Sequence, residues 1–254
     1  MLLFLDSIPY IVIFIFGIVI GSFLNVCIYR LPLHESIITA PSHCMTCGRK
    51  LRWYDMVPVF SWIVLGGKCR NCKSKISVQY PIIEALNGIL YVLVCAVNGL
   101  NWFSLLYCLM TSALLTLSLI DWRTYEIPFG INVFLFFIGI AATALDRGNL
   151  ISHLTGAICV SAFLGILFLL SGGRAIGGGD IKLMFGAGFF LGAKLTVVAA
   201  FIGILLGGGF GALLLAQKKA NRKSQFAFGP FLCIGIAIAM FFGETIADWY
   251  MGLL

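Results

Sequence analysis

Charge is what this sequence has least of. Lys, Arg, Asp and Glu make up 11% of its 254 residues, where a soluble domain carries about 25%, so an ordinary water-soluble globule is excluded. No G-x-G-x-x-G fingerprint opens a βαβ unit, which excludes a nucleotide site of that kind. No internal repeat of roughly 20–50 residues is evident. The first apolar run, about Ile8 to Ile28, has no basic start, and Tyr29 and Arg30 follow it where a small-x-small cleavage site would lie. A retained span is expected there, not a cleaved secretory signal. Polar sequence of any length is confined to one loop, about 30–80.

What the chain has in excess is apolar residues, 61% of the total. Several runs reach the roughly 17 residues that cross a bilayer. The expected fold is an all-α polytopic membrane protein with about eight transmembrane helices, at roughly 8–28, 81–98, 102–120, 128–145, 150–170, 181–192, 195–216 and 227–247. The sixth is the shortest and carries Gly186, Ala187 and Gly188, as a re-entrant or buried segment would. Basic residues favour the cytoplasmic ends of spans. With the N-terminus outside, only Arg147 and Lys194 of the 17 Lys and Arg face outward. Arg30, the basic residues of the 30–80 loop, Arg123, Arg174, Lys182, Lys218, Lys219, Arg222 and Lys223 then face the cytoplasm. The net charge of +7 is therefore a topology signal and not a nucleic-acid one. The chain divides into a first span (1–29), a cytoplasmic domain (30–80) and a transmembrane domain (81–254).

Nine cysteines fall into two groups. Cys27, Cys95, Cys108, Cys159 and Cys233 lie in apolar runs, where a free thiol acts as a small hydrophobe. Cys44-x-x-Cys47 and Cys69-x-x-Cys72 lie in the polar loop with 21 residues between the pairs. Each pair folds into a knuckle that offers two thiolates, and two knuckles complete a tetrahedral zinc site. Gly48 follows the first knuckle where a left-handed residue helps the turn. Arg49, Lys50, Lys68, Arg70 and Lys73 offset the thiolate charge. Disulfides or a redox pair are the alternatives; a reducing cytosol disfavours the first, and two matched pairs argue against the second. Four sulfurs leave no open position, so the zinc is structural. His43 reads as an ordinary loop residue. A loop of about 50 residues is marginal for a core of its own, and a metal is a common remedy.

Two carboxylates stand at the borders of apolar runs. Asp121 ends the run that starts at Trp102, and Asp180 opens another in Gly177-Gly178-Gly179-Asp180-Ile181-Lys182. Charge in such places is costly and needs a reason. An acid at a helix C-terminus faces the negative end of the dipole, so Asp121 is placed against local preference. Asp180 doubles as a helix cap. Gly177, Gly178 and Gly179 allow close backbone approach, or contact with a substrate strand, and Lys182 either steadies the acids or faces the cytosol. The charge pattern sets both aspartates at one depth. Two carboxylates sharing one water and one proton can hydrolyse a peptide: one is base, the other polarises the carbonyl. Glu126, Asp55 and Glu84 are lesser acid candidates; Glu126 is a hydrogen-bonding third party or simply solvated.

Gly177-Gly178-Gly179-Asp180 matches the G-x-G-D signature of membrane-embedded aspartyl proteases. The chain as a whole resembles the bacterial type IV prepilin peptidases. The resemblance runs through Gly21-Ser22-Phe23-Leu24-Asn25-Val26 with Tyr29-Arg30-Leu31-Pro32, Pro41-Ser42-His43-Cys44 with the second cysteine pair, Tyr80-Pro81-Ile82-Ile83-Glu84, Asp121 with Ile127-Pro128, and 177–183. It implies a bacterial inner-membrane enzyme acting on prepilin or pseudopilin substrates. Such an enzyme cleaves a short basic leader after glycine at the cytoplasmic face, with Asp121 and Asp180 catalytic and Gly177, Gly178, Gly179 and Lys182 on the substrate. It also implies N-methylation of the new terminus from S-adenosylmethionine, a reaction tied to the cytoplasmic loop. Trp53, Asp55, Trp62 and Glu84 are candidates for that cofactor; packing of a small zinc-bound loop explains them as well. Where family members often read Trp-x-Asp-Asn-x-Pro, Met56 stands in place of the amide, and methionine cannot supply its hydrogen bonds.

Two readings from other classes compete. One is a transporter with a zinc-ribbon regulatory loop and Asp121 and Asp180 as ion carriers; both acids at one border, away from the midplane, count against it. The other is a structural or chaperone subunit of a secretion apparatus.

Overall fold

Backbone that crosses lipid must satisfy its own hydrogen bonds, so apolar runs of this length fold as helices. The computed structural model describes residues 2–173, 176–217 and 226–253. Among these residues the protein is helix and loop, with two isolated β-bridges, His43 to Lys50 and Lys68 to Lys75. Its helices are α1 (Leu2–Arg30), α2 (Phe60–Val64), α3 (Gln79–Asn98), α4 (Trp102–Thr124), α5 (Phe129–Leu145), α6 (Leu150–Ser171), α7 (Gly178–Ala216) and α8 (Gly229–Met251). Arg174, Lys218, Lys219, Arg222 and Lys223, which entered the charge pattern, lie outside the described residues.

Among the described residues six helical stretches are long and apolar enough to cross a membrane, and Phe129–Leu145 is apolar but shorter. The expectation of about eight spans differs from this in two places. One is the short α5. The other is α7, a single stretch of 39 residues that merges the segments expected at 181–192 and 195–216. A straight helix of that length would measure about 58 Å, nearly twice the hydrocarbon core. Gly192 interrupts it with φ 75° and ψ 173°.

Contacts on either side of Gly192 give the course of its two arms. Along 178–191, Gly179 abuts Ile127, Gly186 abuts Leu135, and Gly139 abuts Phe189, so this arm runs parallel to α5. Along 193–216, Gly243 meets Leu195, Gly235 meets Ala199, Gly203 meets Leu232, and Gly207 meets Phe228, so this arm runs antiparallel to α8. Ile127 lies against both Gly179 and Gly229, which puts the start of α7 beside the start of α8. The chain therefore reverses at Gly192. Polar side chains of α5 and α6 serve the turn: Ala193 N–H donates to Ser152 Oγ at 3.2 Å, and Thr143 Oγ1 donates to Phe189 O at 3.1 Å. His153 Nδ1 lies 2.7 Å from the same carbonyl.

The chain forms two compact units, Met1–Leu100 and Asn101–Leu254. In the first, α3 packs along α1. A Cβ on Gly17 would fall 2.7 Å from Gly88 Cα, and one on Gly21 the same distance from Glu84 Cα. Small residues let the backbones close up, as helix pairs in lipid require. Buried amides stitch the pair: Asn87 Nδ2 donates to Gly17 O at 2.8 Å and Asn25 Nδ2 to Tyr80 O at 3.2 Å. In the second unit, α7 packs on α5, α6 and α8, while α4 packs on α5 and α8. Gly156 of α6 and Gly188 of α7 meet backbone to backbone, and a Cβ on Gly188 would collide with the Gly156 carbonyl. Gly188→Leu is expected to destabilise this unit by at least ~3 kcal/mol, since neither backbone can retreat. Thermal melting of the purified variant in detergent checks it; a melting temperature equal to the parent's contradicts this packing.

Candidate functional site

Asp121 lies in the last turn of α4, where Tyr125 closes the helix in a left-handed conformation and its N–H bonds to Asp121 O at 2.9 Å. Its own helix offers the carboxylate nothing. Another one does: Gly229 N–H, at the start of α8, donates to Asp121 Oδ2 at 3.0 Å. Asp180 sits in the first turn of α7, and Gly177 N–H donates to its Oδ2 at 3.2 Å. Each carboxylate thus faces the positive end of a helix dipole and holds a backbone donor. Both residues are 5% exposed. Asp180 Oδ1 is buried with no hydrogen-bond partner among the described residues.

The two aspartates line one cavity of about 300 Å³, with Gly177, Gly178, Gly179 and Lys182 also in its wall. The three glycines differ in what they do. A Cβ on Gly177 would stand 3.2 Å from Asp180 Oδ2, and one on Gly179 would stand 2.9 Å from Ile127 Cβ, whereas one on Gly178 would meet nothing. Gly177 has an extended backbone at the N-cap, and Gly178 and Gly179 are already helical. Only Gly178 presents open backbone. Lys182 lies with its ammonium 5.3 Å from the Phe129 ring centre, on the cavity's rim. Glu126 lines the same cavity from an exposed position.

Two residues here escaped the reading of the sequence. Gly229 leaves room for the carboxylate, since a Cβ there would fall 2.6 Å from Asp121 Oδ2. Its signal was the Gly-Pro pair opening an apolar run, the ordinary mark of a helix start. Asn132 lines the cavity and is 5% exposed, with neither amide atom hydrogen-bonded among the described residues. A lone amide in an otherwise apolar span was visible as a polar interruption.

In the first unit the four loop cysteines come together. Sγ atoms of Cys44, Cys47, Cys69 and Cys72 all lie within 4.8 Å of one another. Cys44 Sγ and Cys72 Sγ are 3.8 Å apart, the edge of a tetrahedron with Zn–S bonds of about 2.3 Å. Both knuckles fold alike. Cys44 N–H bonds to Arg49 O at 2.9 Å and Gly48 N–H to Cys44 O at 2.9 Å; Cys69 N–H bonds to Ser74 O at 2.8 Å and Lys73 N–H to Cys69 O at 3.0 Å. Gly48 takes φ 67°, and Lys73 takes the same left-handed position at φ 59° without being glycine. Backbone groups of Cys47 and then Thr46 draw the Cys44 thiol down to about 6, toward the thiolate a metal needs. All nine cysteines are free of disulfides. His43 is exposed, with Nδ1 3.3 Å from Pro41 O. The donor set fits a structural zinc.

The four residues expected near S-adenosylmethionine have these surroundings. Trp53 is exposed. Asp55 pairs with Arg70 at 2.8 Å. Trp62 Nε1 donates to Ile76 O at 3.2 Å. Glu84 is buried in α3 and accepts the Val59 N–H at 2.7 Å, fixing a β-branched residue at φ 60°. Asp55, Trp62 and Glu84 thus each hold part of the loop in place.

Two family models match the chain: the bacterial peptidase A24 N-terminal domain at residues 15–98 and the type IV leader peptidase family at residues 108–212. Among curated relatives, the prepilin leader peptidase/N-methyltransferase of Bacillus subtilis is 30% identical over 241 residues, covering 94% of this chain and 97% of the relative. The one from Neisseria gonorrhoeae is 32% identical over 270 residues, covering 93% of each. That of Xanthomonas campestris is 29% identical over 263 residues, covering 92% of each. No solved structure matches. The transporter reading finds no support in these matches.

Replacing all four loop cysteines by serine is expected to abolish bound zinc, from one ion per chain to none by elemental analysis of the purified protein. Lys73→Gly is expected to stabilise the second knuckle by about 1 kcal/mol by relieving its left-handed strain; slower zinc loss to a chelator is the measure.

Proposed function

The chain belongs to the type IV leader peptidase family, and on that premise we propose that it is a membrane aspartyl endopeptidase that removes leaders from prepilin-like substrates and then methylates the new N-terminus. One observation carries the peptidase reading: two buried carboxylates from different helices line one cavity, each tied through a single oxygen to a helix N-terminus. That arrangement can hold a water between the acids. One carboxylate takes the water's proton as it attacks the scissile carbonyl and later passes that proton to the leaving amine; the other, protonated, donates to the carbonyl oxygen and recovers a proton from the tetrahedral diol as it collapses. The N–H groups of Gly177 and Gly229 keep both side chains in place throughout. Open backbone at Gly178 lets an extended peptide lie against the start of α7, with Lys182 and Phe129 at its edge.

Methyl transfer from S-adenosylmethionine rests on the relatives' names. We assign it to the 30–80 loop, a zinc-stapled domain, and the peptidase to the transmembrane helices of 81–254. We place the loop and both aspartates at the cytoplasmic face of a bacterial inner membrane, the N-terminus outside, and eight crossings in all, with both arms of α7 counted. The positive-inside bias supports this orientation.

Co-expression with a prepilin, followed by intact-mass measurement of the product, tests both activities: loss of the leader reports the peptidase, and one added methyl reports the transferase. Asp121→Asn and Asp180→Asn are each expected to leave a folded protein whose leader cleavage falls by about 10²–10⁴-fold or more. Gly229→Ala, whose Cβ would displace the Asp121 carboxylate, is expected to act in the same direction. Normal cleavage by either asparagine variant would sink the dyad.

A further inference from the structure

A second cavity of about 350 Å³ adjoins the one that holds the aspartates. Val133 and Phe136 of α5, Ser161 of α6, and Ile181 and Phe185 of α7 wall it, and Phe129, Asn132 and Lys182 line both cavities. Its lining is apolar almost throughout. The Ser161 hydroxyl is turned into its own helix, donating to the carbonyls of Ala157 and Ile158. Position along the helices sets its depth. The aspartates' cavity lies at the starts of α5 and α7; Val133, Phe136 and Phe185 lie about one turn farther in. The second cavity thus lies beside the first, on its membrane-ward side.

Asn132 stands where the two meet. It is 5% exposed, and neither its Oδ1 nor its Nδ2 has a partner among the described residues. Leaving both ends of a buried amide unpaired is costly, and most buried polar groups avoid it. A primary amide offers one acceptor and two donors. An extended peptide passing from one cavity to the other presents the matching pair, a main-chain N–H and C=O.

We propose that the second cavity is the subsite for an apolar side chain on the membrane-ward side of the scissile bond, and that Asn132 grips the substrate main chain at the passage between the cavities. The occupant is the apolar flank of the same polypeptide whose peptide bond lies at the aspartates, since the two cavities share Phe129, Asn132 and Lys182 in their walls. This rests on the peptidase reading. Asn132 does not touch the reacting atoms; it sets how the substrate lies.

The test uses the purified full chain in detergent and two series of peptides around a cleavable bond, varied from Ala through Leu to Phe on one side or the other. The parent is expected to prefer Leu or Phe over Ala on one side of the bond by about tenfold or more. Ser161→Phe fills the cavity and is expected to shrink that preference to below about twofold. If that variant does not fold, Val133→Trp fills the same space from α5. Asn132→Leu is expected to raise KM about tenfold with a much smaller change in kcat, while the melting temperature of the substrate-free protein holds or rises, because an unpaired amide has been replaced by a side chain of similar size. A structural role for Asn132 would instead lower stability along with activity. A preference unchanged by filling the cavity, or a parental KM in Asn132→Leu, overturns the proposal. No cleavage of any peptide by the parent overturns the peptidase reading itself.

Discussion

Negative charge at the edge of a bilayer persists only where something fixed and positive faces it. In this protein that something is the backbone at the starts of two helices. Asp121 would be repelled by the carbonyl end of α4, yet it reaches across to the first N–H of α8, and Asp180 turns back on the N-cap of its own helix. These donors cannot swing away as a lysine could, so they define where each carboxylate sits. Much of the second unit serves this placement. Ile127 is wedged against Gly179 and Gly229 and joins the starts of α7 and α8, and the packing of α4 on α8 keeps donor and acceptor in register.

The amino-acid sequence revealed the chemistry of this arrangement more readily than its geometry. Asp121 and Asp180 stood out because each interrupts apolar sequence, and the distribution of Lys and Arg placed them at one level. That they line a common cavity could not be read, because periodicity speaks of one helix at a time and never of which helices are neighbours. Gly229 was hidden for the same reason: its importance is a distance to a side chain more than a hundred positions away. Asn132 was hidden differently. A single amide in an apolar run looks like a tolerated exception until its surroundings show no hydrogen-bond partner for it among the described residues. The zinc knuckles were the most legible part, since ligand type and spacing are both local. Even the left-handed residue after the first cysteine pair could be anticipated from Gly48, whereas Lys73, which takes the same conformation, carries no such mark.

Motifs in the first unit tell a different story from those in the second. Gly21, Asn25, Tyr80 and Glu84 belong to two stretches that carry the family resemblance, and each has a structural task. Gly21 lets α1 and α3 touch, Asn25 holds Tyr80 O, Tyr80 stacks on Tyr29 with ring centres 5.6 Å apart, and Glu84 pins the loop at Val59. Arg30 gathers the carbonyls of Ser36 and Ala40 and so folds the loop back toward the end of α1. A recognisable motif can thus mark the joints of a scaffold as firmly as it marks a reactive group.

The reversal at Gly192 fixes a length. The arm 178–191 that ends in it measures roughly 21 Å at 1.5 Å per residue, well short of a hydrocarbon core of about 30 Å. Most of its residues are buried, with α7 packed on α5, α6 and α8, so neighbouring helices and not lipid absorb the shortfall. Asp180 stands in the first turn of this arm. The position of one glycine along the chain therefore acts as a ruler that sets how far from the turn that carboxylate stands.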